Sequence, residues 1–255
     1  MQVWQSALLA SIPGVVHGVS TRLGGVSRPP FATLNLSLQT GDRVEDVIEN
    51  RRRFLARLGF NLDAAVWGEQ VHGTVVRQVT RRDAAEKGVH AFPATDGLVT
   101  TQRGLALMAF FADCLPIMAA EEGGRAAGVA HAGWRGTIAG VARQLIVSLR
   151  ACGVAPERIK VALGPCIKPC CYAVSEELYQ RFRDEIGPQA VGRTRSGRPA
   201  LDLAGANTAL LVAAGVPESA IEVSPICTAC RTDLFFSHRA ERGNTGRFAA
   251  VVGLL

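Results

Sequence analysis

"ADCLPIMAAEEGGRAAGVAHAGWRG", Ala112–Gly136, decides how the rest of the chain is read. Immediately upstream, GLALMAFFAD (Gly104–Asp113) is an apolar run too short for a helix, and GRAAGVAHAG (Gly124–Gly133) is a second one built from small residues. Both have the composition of buried strands. The turn between these two site-bearing strands is Glu121-Glu122-Gly123-Gly124. Hairpin-like neighbours of this kind argue against a purely parallel sheet, so the expected fold is mixed α/β: one domain over residues 1–255 with mixed β-sheets flanked by helices.

Outward from that centre, strands and helices alternate. GDRVEDVIENRRRFLARLGF (Gly41–Phe60) carries Val44, Val47, Ile48, Phe54, Leu55 and Leu58 at helical spacing, with Asp42 as the expected N-cap, Glu45 three residues on, and Gly59 as the stop. AAVWGEQVHGTVVRQV (Ala64–Val79) has the β-branched content of a strand. TIAGVARQLIVSLRACG (Thr137–Gly153) is expected as one helix with Thr137 near its N-cap. Further on, RIKVALG, IEVSPI and RFAAVVGLL have strand character, and SEELYQRFRDEIG and LDLAGANTALLVAAG helical character.

Composition narrows the function classes. The chain has 255 residues, is 48% hydrophobic and 20% charged, and has a net charge of +6. Yet its arginines are scattered, with one run at Arg51–Arg53 and no aromatic stripe beside it, which argues against a nucleic-acid partner. Lysine occurs only at Lys87, Lys160 and Lys168, so the positive charge is almost all guanidinium, suited to gripping phosphate or carboxylate. No apolar run approaches the length of a membrane span, and Gln5, Ser6 and Pro13 interrupt any export signal. Seven cysteines, an odd number, then point to a reducing compartment, with the cytoplasm as the expected location.

The chemistry concentrates at strand ends. Cys114 follows one apolar run and His131 closes the other; a thiolate and an imidazole there serve as nucleophile and base, or as two ligands of a metal such as zinc. His72 in EQVHG is the candidate third ligand, and a set of three leaves the open fourth position of a catalytic zinc. Against this stands a core cysteine with two hydrogen-bonded histidines. Arg135, in the glycine-bounded turn HAGWRG before a helix, is either an anion contact or one half of a packing pair with Trp134. A rival metal site draws on Cys166, Cys170 and Cys171 of CIKPCC with Cys227 and Cys230 of CTAC, four thiolates for a structural zinc, although the first knuckle lacks the usual spacing.

With these motifs assembled, the chain resembles the laccase-domain family, also called multicopper polyphenol oxidase-like or purine nucleoside phosphorylase proteins. The resemblance runs through GVSTRLGGVS (Gly18–Ser27), LNLS (Leu34–Ser37), ENRRRF (Glu49–Phe54), EQVHG, TDGLVT (Thr95–Thr100), ADCLPI, HAGWRG, LGPCI (Leu163–Ile167), CYAV (Cys171–Val174) and FFSHR (Phe235–Arg239). It implies a fold shared with a group of cysteine hydrolases and a zinc held by His72, Cys114 and His131. The activity implied is phosphorolysis of adenosine, inosine, guanosine or methylthioadenosine, with adenosine deamination, and with purine nucleoside and phosphate as the partners of a monomer or homodimer. It further implies Arg22, Asn35, Arg51, Gln70 and Arg135 as substrate contacts; Asp113 is expected to orient a ligand or accept a proton, or, in the favoured reading, to be a structural carboxylate beside Cys114.

Two alternatives accompany that reading. The family's older assignment is copper-dependent polyphenol oxidation. Five histidines in the whole chain, with His17 and His90 in unremarkable contexts, cannot furnish several copper centres, so at most one copper fits the three-residue set. The other is a metal-free Cys114–His131 amidase acting on a cell-wall precursor.

Overall fold

The computed structural model describes residues 1–84 and 91–255; His90 lies outside them. One sheet has five strands in the order β1 (Val3–Trp4), β2 (Val15–Ser20), β13 (Phe248–Leu254), β6 (Leu105–Phe111) and β3 (Ala65–Trp67). A second has six, β12 (Ile221–Val223), β9 (Ile159–Leu163), β7 (Leu115–Glu121), β8 (Ala127–Ala132), β5 (Gly97–Thr100) and β4 (Val76–Gln78). Both are mixed: β3 runs parallel to β6 and β4 to β5, whereas β7 pairs antiparallel with β8. A small hairpin, β10 (Val191–Arg193) with β11 (Pro199–Leu201), completes the strands among the described residues; α1 (Ala7–Ala10) lies against β2 and β9, and α5 (Glu176–Glu185) against the hairpin.

The side-chain alternation of β6 and β7 shows why the sheets stack. Leu105, Leu107, Ala109 and Phe111 of β6 pack with Met118 and Ala120 of β7 in the layer between the sheets. The opposite face of β6, Ala106 and Met108, meets Phe54, Leu55 and Leu58 around α2 (Val44–Arg57). Leu115, Ile117 and Ala119 of β7 instead meet Leu145, Ile146 and Leu149 of α4 (Val141–Ala151) and Leu211 of α6 (Leu203–Ala213). The result is four layers, helix, sheet, sheet and helices. Because both sheet faces are covered, the central strands are continuous apolar runs and not alternating ones.

Four local expectations are corrected. β6 and β8, expected as hairpin-like neighbours joined by the turn at residues 121–124, lie in different sheets, and that turn joins β8 to β7, a strand the apolar runs did not separate. Helix α2 is capped at Arg43, one residue later than expected, because Asp42 is engaged elsewhere: its carboxylate accepts from Asn35 Nδ2 at 2.9 Å. The helix expected from Thr137 is two, α3 (Trp134–Ala139) and α4, hinged at Gly140 with φ of 90°. Left-handed backbone there is what glycine permits. Thr137 lies inside α3, fully buried, and its Oγ1 accepts from Asn207 Nδ2 at 3.0 Å, while Gly133 takes the capping position. Finally, Ala64–Val79 is two short strands in different sheets, β3 and β4, joined by a loop that carries His72.

Candidate metal centre and active-site pocket

The three donor residues meet where the chain passes between the sheets. Cys114 lies in the crossing from β6 to β7, and His72 in the crossing from β3 to β4. His131 belongs to β8, opposite Pro116. Their donor atoms lie within 4.8 Å of one another, with Cys114 Sγ 3.8 Å from His72 Nε2. The two imidazoles meet edge to face at 4.8 Å between centroids. Gly133 lets the set close up, since a Cβ there would stand 2.6 Å from His72 Cδ2 and 3.1 Å from Cys114 Sγ.

Asp96, which the sequence reading did not single out, holds this arrangement. Its Oδ1 lies 2.9 Å from His131 Nδ1 and accepts the His72 amide at 3.0 Å; its Oδ2 accepts the amides of Val71 at 3.1 Å and Gly73 at 2.8 Å. One buried carboxylate therefore orients one ligand and folds the loop that carries another. Held there, His72 has φ of 61°, and Asp113 beside Cys114 has φ of 86°, conformations uncommon for residues with a Cβ. Asp113 is fixed by Thr228 Oγ1 and Ser237 Oγ at 2.7 Å each on Oδ1 and by the Arg239 amide at 2.6 Å on Oδ2.

Charge within the set is shared. Burial raises the Cys114 thiol, but the positive charge of His131, then hydrogen bonds from His131 and His72, draw it down to about 6. Burial likewise lowers His131, and the Cys114 thiolate with the Asp96 carboxylate outweighs it, lifting the imidazole to about 9. Asp96 is itself held low: burial opposes its charge, while His131 and the amides of Gly73 and Val71 favour it. Metal-free, the set is a thiolate–imidazolium pair on a carboxylate; two imidazole nitrogens and a thiolate also suit a borderline ion such as zinc.

The set floors a cavity of about 440 Å³. Phe110, Trp134, Ile167 and Tyr172 give it apolar walls, and Arg135, Arg239, Arg247 and His238 give it polar ones. Arg135 lines the cavity with its guanidinium 4.3 Å over the Trp134 ring, so the expected packing pair forms on the cavity wall. Gln70 lines it too, but its amide is paired with both backbone groups of Phe110 at 2.8 Å.

The remaining expected substrate contacts stand behind the wall. Arg51 is buried with its guanidinium against the rings of Trp67, at 4.4 Å, and Phe110, at 4.7 Å, and its Nε donates to Leu36 O; it braces Phe110 and does not line the cavity. Arg22 is paired with Glu241 at 2.9 Å, away from the cavity lining. Asn35 is fully buried and its Oδ1 accepts the amide of Arg247 at 2.8 Å, so it positions a lining residue without being one. Of the other lining residues, His238 and Arg239 stand in the FFSHR motif without an assigned role, and Arg247 carries no motif signal.

The fold and site together define a mixed α/β enzyme with a His–Cys–His donor set open to a small-molecule pocket. The chain belongs to the family described as multi-copper polyphenol oxidoreductase laccase, whose pattern matches residues 16–255. It is 44% identical to the purine nucleoside phosphorylase YlmD of Geobacillus stearothermophilus, over 94% of this chain and 90% of that protein. The crystal structure of YlmD from that organism superposes with a TM-score of 0.90 at 41% identity, covering 99% of this chain and 98% of the other. An adenosine deaminase, RL5, from an unknown prokaryotic organism is 32% identical over 93% of each chain.

Proposed function

We propose that the protein is a zinc-dependent purine nucleoside phosphorylase, releasing free base and ribose 1-phosphate from adenosine, inosine, guanosine or methylthioadenosine, and that it also deaminates adenosine. The observation that carries this reading is the His72–Cys114–His131 set facing a cavity with arginines on its polar side and aromatic rings on its apolar side. The names of the relatives support it. When bound, zinc supplies Lewis acidity at the position the three donors leave open.

The chain's own residues account for the rest. Phe110, Trp134 and Tyr172 offer flat apolar surface for a purine ring. Arg135, Arg239 and Arg247 offer guanidinium forks for phosphate. In phosphorolysis a phosphate oxygen bonds to ribose C1′ while the bond from C1′ to the purine nitrogen breaks and its electron pair leaves with the base. The departing purine then takes a proton, for which His238 is the lining imidazole outside the donor set. In deamination, water adds at the amino-bearing carbon and ammonia leaves.

Zinc fits better than a group of coppers, because among the described residues His72 and His131 are the only histidines in a donor cluster. Seven cysteines, all free thiols, support a cytoplasmic location. No helix among the described residues is long and apolar enough to cross a membrane.

A second reading has an observation of its own. Asp96, His131 and Cys114 form the carboxylate–imidazole–thiol series of a cysteine hydrolase. One experiment separates the two. Tag-free protein is given inosine with and without phosphate, and adenosine, before and after chelation and zinc return. Base release that needs phosphate, falls on chelation, returns with zinc and loses its phosphate dependence in Arg135→Ala supports the phosphorylase. Activity that survives chelation and dies on thiol alkylation refutes it in favour of the hydrolase.

A further inference from the structure

A second convergence of donors lies outside the cavity's donor set. Strands β9 and β12 are parallel neighbours, and the segments that follow them, 164–172 and 224–231, run on side by side, bridged between Cys166 and Cys227. Cys170 and Cys171 come from the first segment, Cys227 and Cys230 from the second. Cys171 Sγ stands 3.4 Å from Cys230 Sγ, and Cys170 Sγ stands 3.7 Å from Cys230 Sγ and 3.8 Å from Cys171 Sγ. All four sulfurs lie within 4.8 Å of one another.

That spacing has a specific meaning. Four sulfurs bonded at about 2.3 Å to a tetrahedral ion stand about 3.8 Å apart, so the separations among Cys170, Cys171 and Cys230 need little adjustment to close around one, with Cys227 Sγ within 4.8 Å of all three. Burial argues the same way. Thiols that serve as packing are interior, whereas here Cys227 alone is buried, Cys170 and Cys171 are half-buried and Cys230 is exposed.

Two of the sulfurs, those of Cys227 and Cys230, accept hydrogen bonds from outside the set. The Lys168 amide donates to Cys227 Sγ at 3.4 Å, and Arg195 Nη2 donates to Cys230 Sγ at 3.3 Å, the outer partners that orient metal ligands. Each pair also sits on a turn, with the Cys171 amide bonded to Lys168 O at 3.0 Å and the Cys230 amide to Cys227 O at 3.2 Å. Cys166, weighed as a ligand from the sequence, stays in the apolar core, where burial pushes its thiol up to about 12.

We propose that Cys170, Cys171, Cys227 and Cys230 bind a structural zinc ion as a closed tetrathiolate site, distinct from the His72–Cys114–His131 set. Four protein ligands leave no open position, so this ion takes no part in the chemistry. It clamps the two segments together instead. Ile167 and Tyr172 of the first segment line the cavity, and Thr228 of the second anchors Asp113 next to Cys114. The proposal stands whether or not the cavity's donor set holds a metal.

The test counts metal in full-length, tag-free protein by elemental mass spectrometry, using Cys114→Ala to empty the cavity's donor set. One zinc per chain retained in Cys114→Ala, and lost when Cys171→Ser and Cys230→Ser are added, is the expected result. Should the added serines prevent folding, Cys114→Ala is loaded with cobalt(II) in place of zinc. A tetrahedral spectrum with the charge-transfer intensity of four thiolates supports the site. No zinc in Cys114→Ala, a weak octahedral cobalt spectrum, or a disulfide between any two of the four cysteines in unreduced protein overturns it.

Discussion

Replacing Asp96 by asparagine keeps the shape of the side chain and removes half of its acceptor capacity. Each carboxylate oxygen serves two donors: Oδ1 takes His131 Nδ1 and the His72 amide, and Oδ2 takes the amides of Val71 and Gly73. An asparagine NH2 must occupy one of those places: on one side it faces the amides of Val71 and Gly73, and on the other it faces the His72 amide and an Nδ1 that must give up its proton, so two bonds to a charged acceptor are lost either way. Bonds to a charged acceptor contribute about 1.5–3 kcal/mol each, so the loss is about 3–6 kcal/mol. At about 2 °C per kcal/mol for a chain of this size, the metal-free melting temperature falls by about 6–12 °C.

The site loses a ligand in either orientation. With the NH2 on the His131 side, it donates to Nδ1, and the ring must carry its proton on the nitrogen that faces Cys114. With the NH2 on the other side, the amides of Val71 and Gly73 lose their acceptor and the loop that presents His72 is released. Loss of an orienting partner weakens metal affinity about 10–100-fold. Calorimetry of the metal-free protein and zinc titration against a chromophoric chelator, with Cys114→Ala as the baseline for the cavity's donor set, read both effects. An Asp96→Asn protein that melts within about 2 °C of the parent and binds zinc equally well would falsify the reasoning.

Gly133→Ala tests the close packing of the ligands directly. Its backbone φ of −78° suits alanine, but the added Cβ meets the His72 ring and Cys114 Sγ, so zinc retention after dialysis should fall about tenfold while the melting temperature barely moves. Undiminished retention refutes the contact. In metal-free protein, alkylation of Cys114 should rise with pH through a midpoint near 6, because His131 and His72 favour the thiolate over the burial that opposes it. Mass spectrometry of the Cys114 peptide separates it from exposed Cys230, and a midpoint at an ordinary thiol value, about 8.5, contradicts the pairing.

The sequence made the framework legible where burial is one-sided or total. The apolar runs at Gly104–Asp113 and Gly124–Gly133 became β6 and β8, and the helical spacing of Val47, Phe54 and Leu55 became the core face of α2. Local capping was less legible, because Asp42 is taken by Asn35 in the loop before the helix and Thr137 by Asn207, seventy residues on, partners that a capping rule read within the helix's own first turn does not contain. Arg51 was misplaced for a related reason. Its charge suggested an anion, but two aromatic rings brought in from β3 and β6 supply an interior for it. Asp96 stands in the TDGLVT motif, but nothing local marks its role, since an aspartate before a glycine also fits a turn.

The donor set has no short motif because no single element holds two of its members. His72 and Cys114 each lie in a segment that leaves the five-stranded sheet and enters the six-stranded one, and His131 closes a strand of the latter. A third segment, which returns from β12 of the six-stranded sheet to β13 of the five-stranded one, contributes Thr228, Ser237, Arg239 and Arg247, which fix Asp113 or line the cavity. The site is therefore formed by the stacking of the sheets: each sheet alone lacks the partner ends of its connections. An ion held by His72, Cys114 and His131 would tie those ends together, so its binding energy would add to the stability of the sandwich as well as to the chemistry of the cavity.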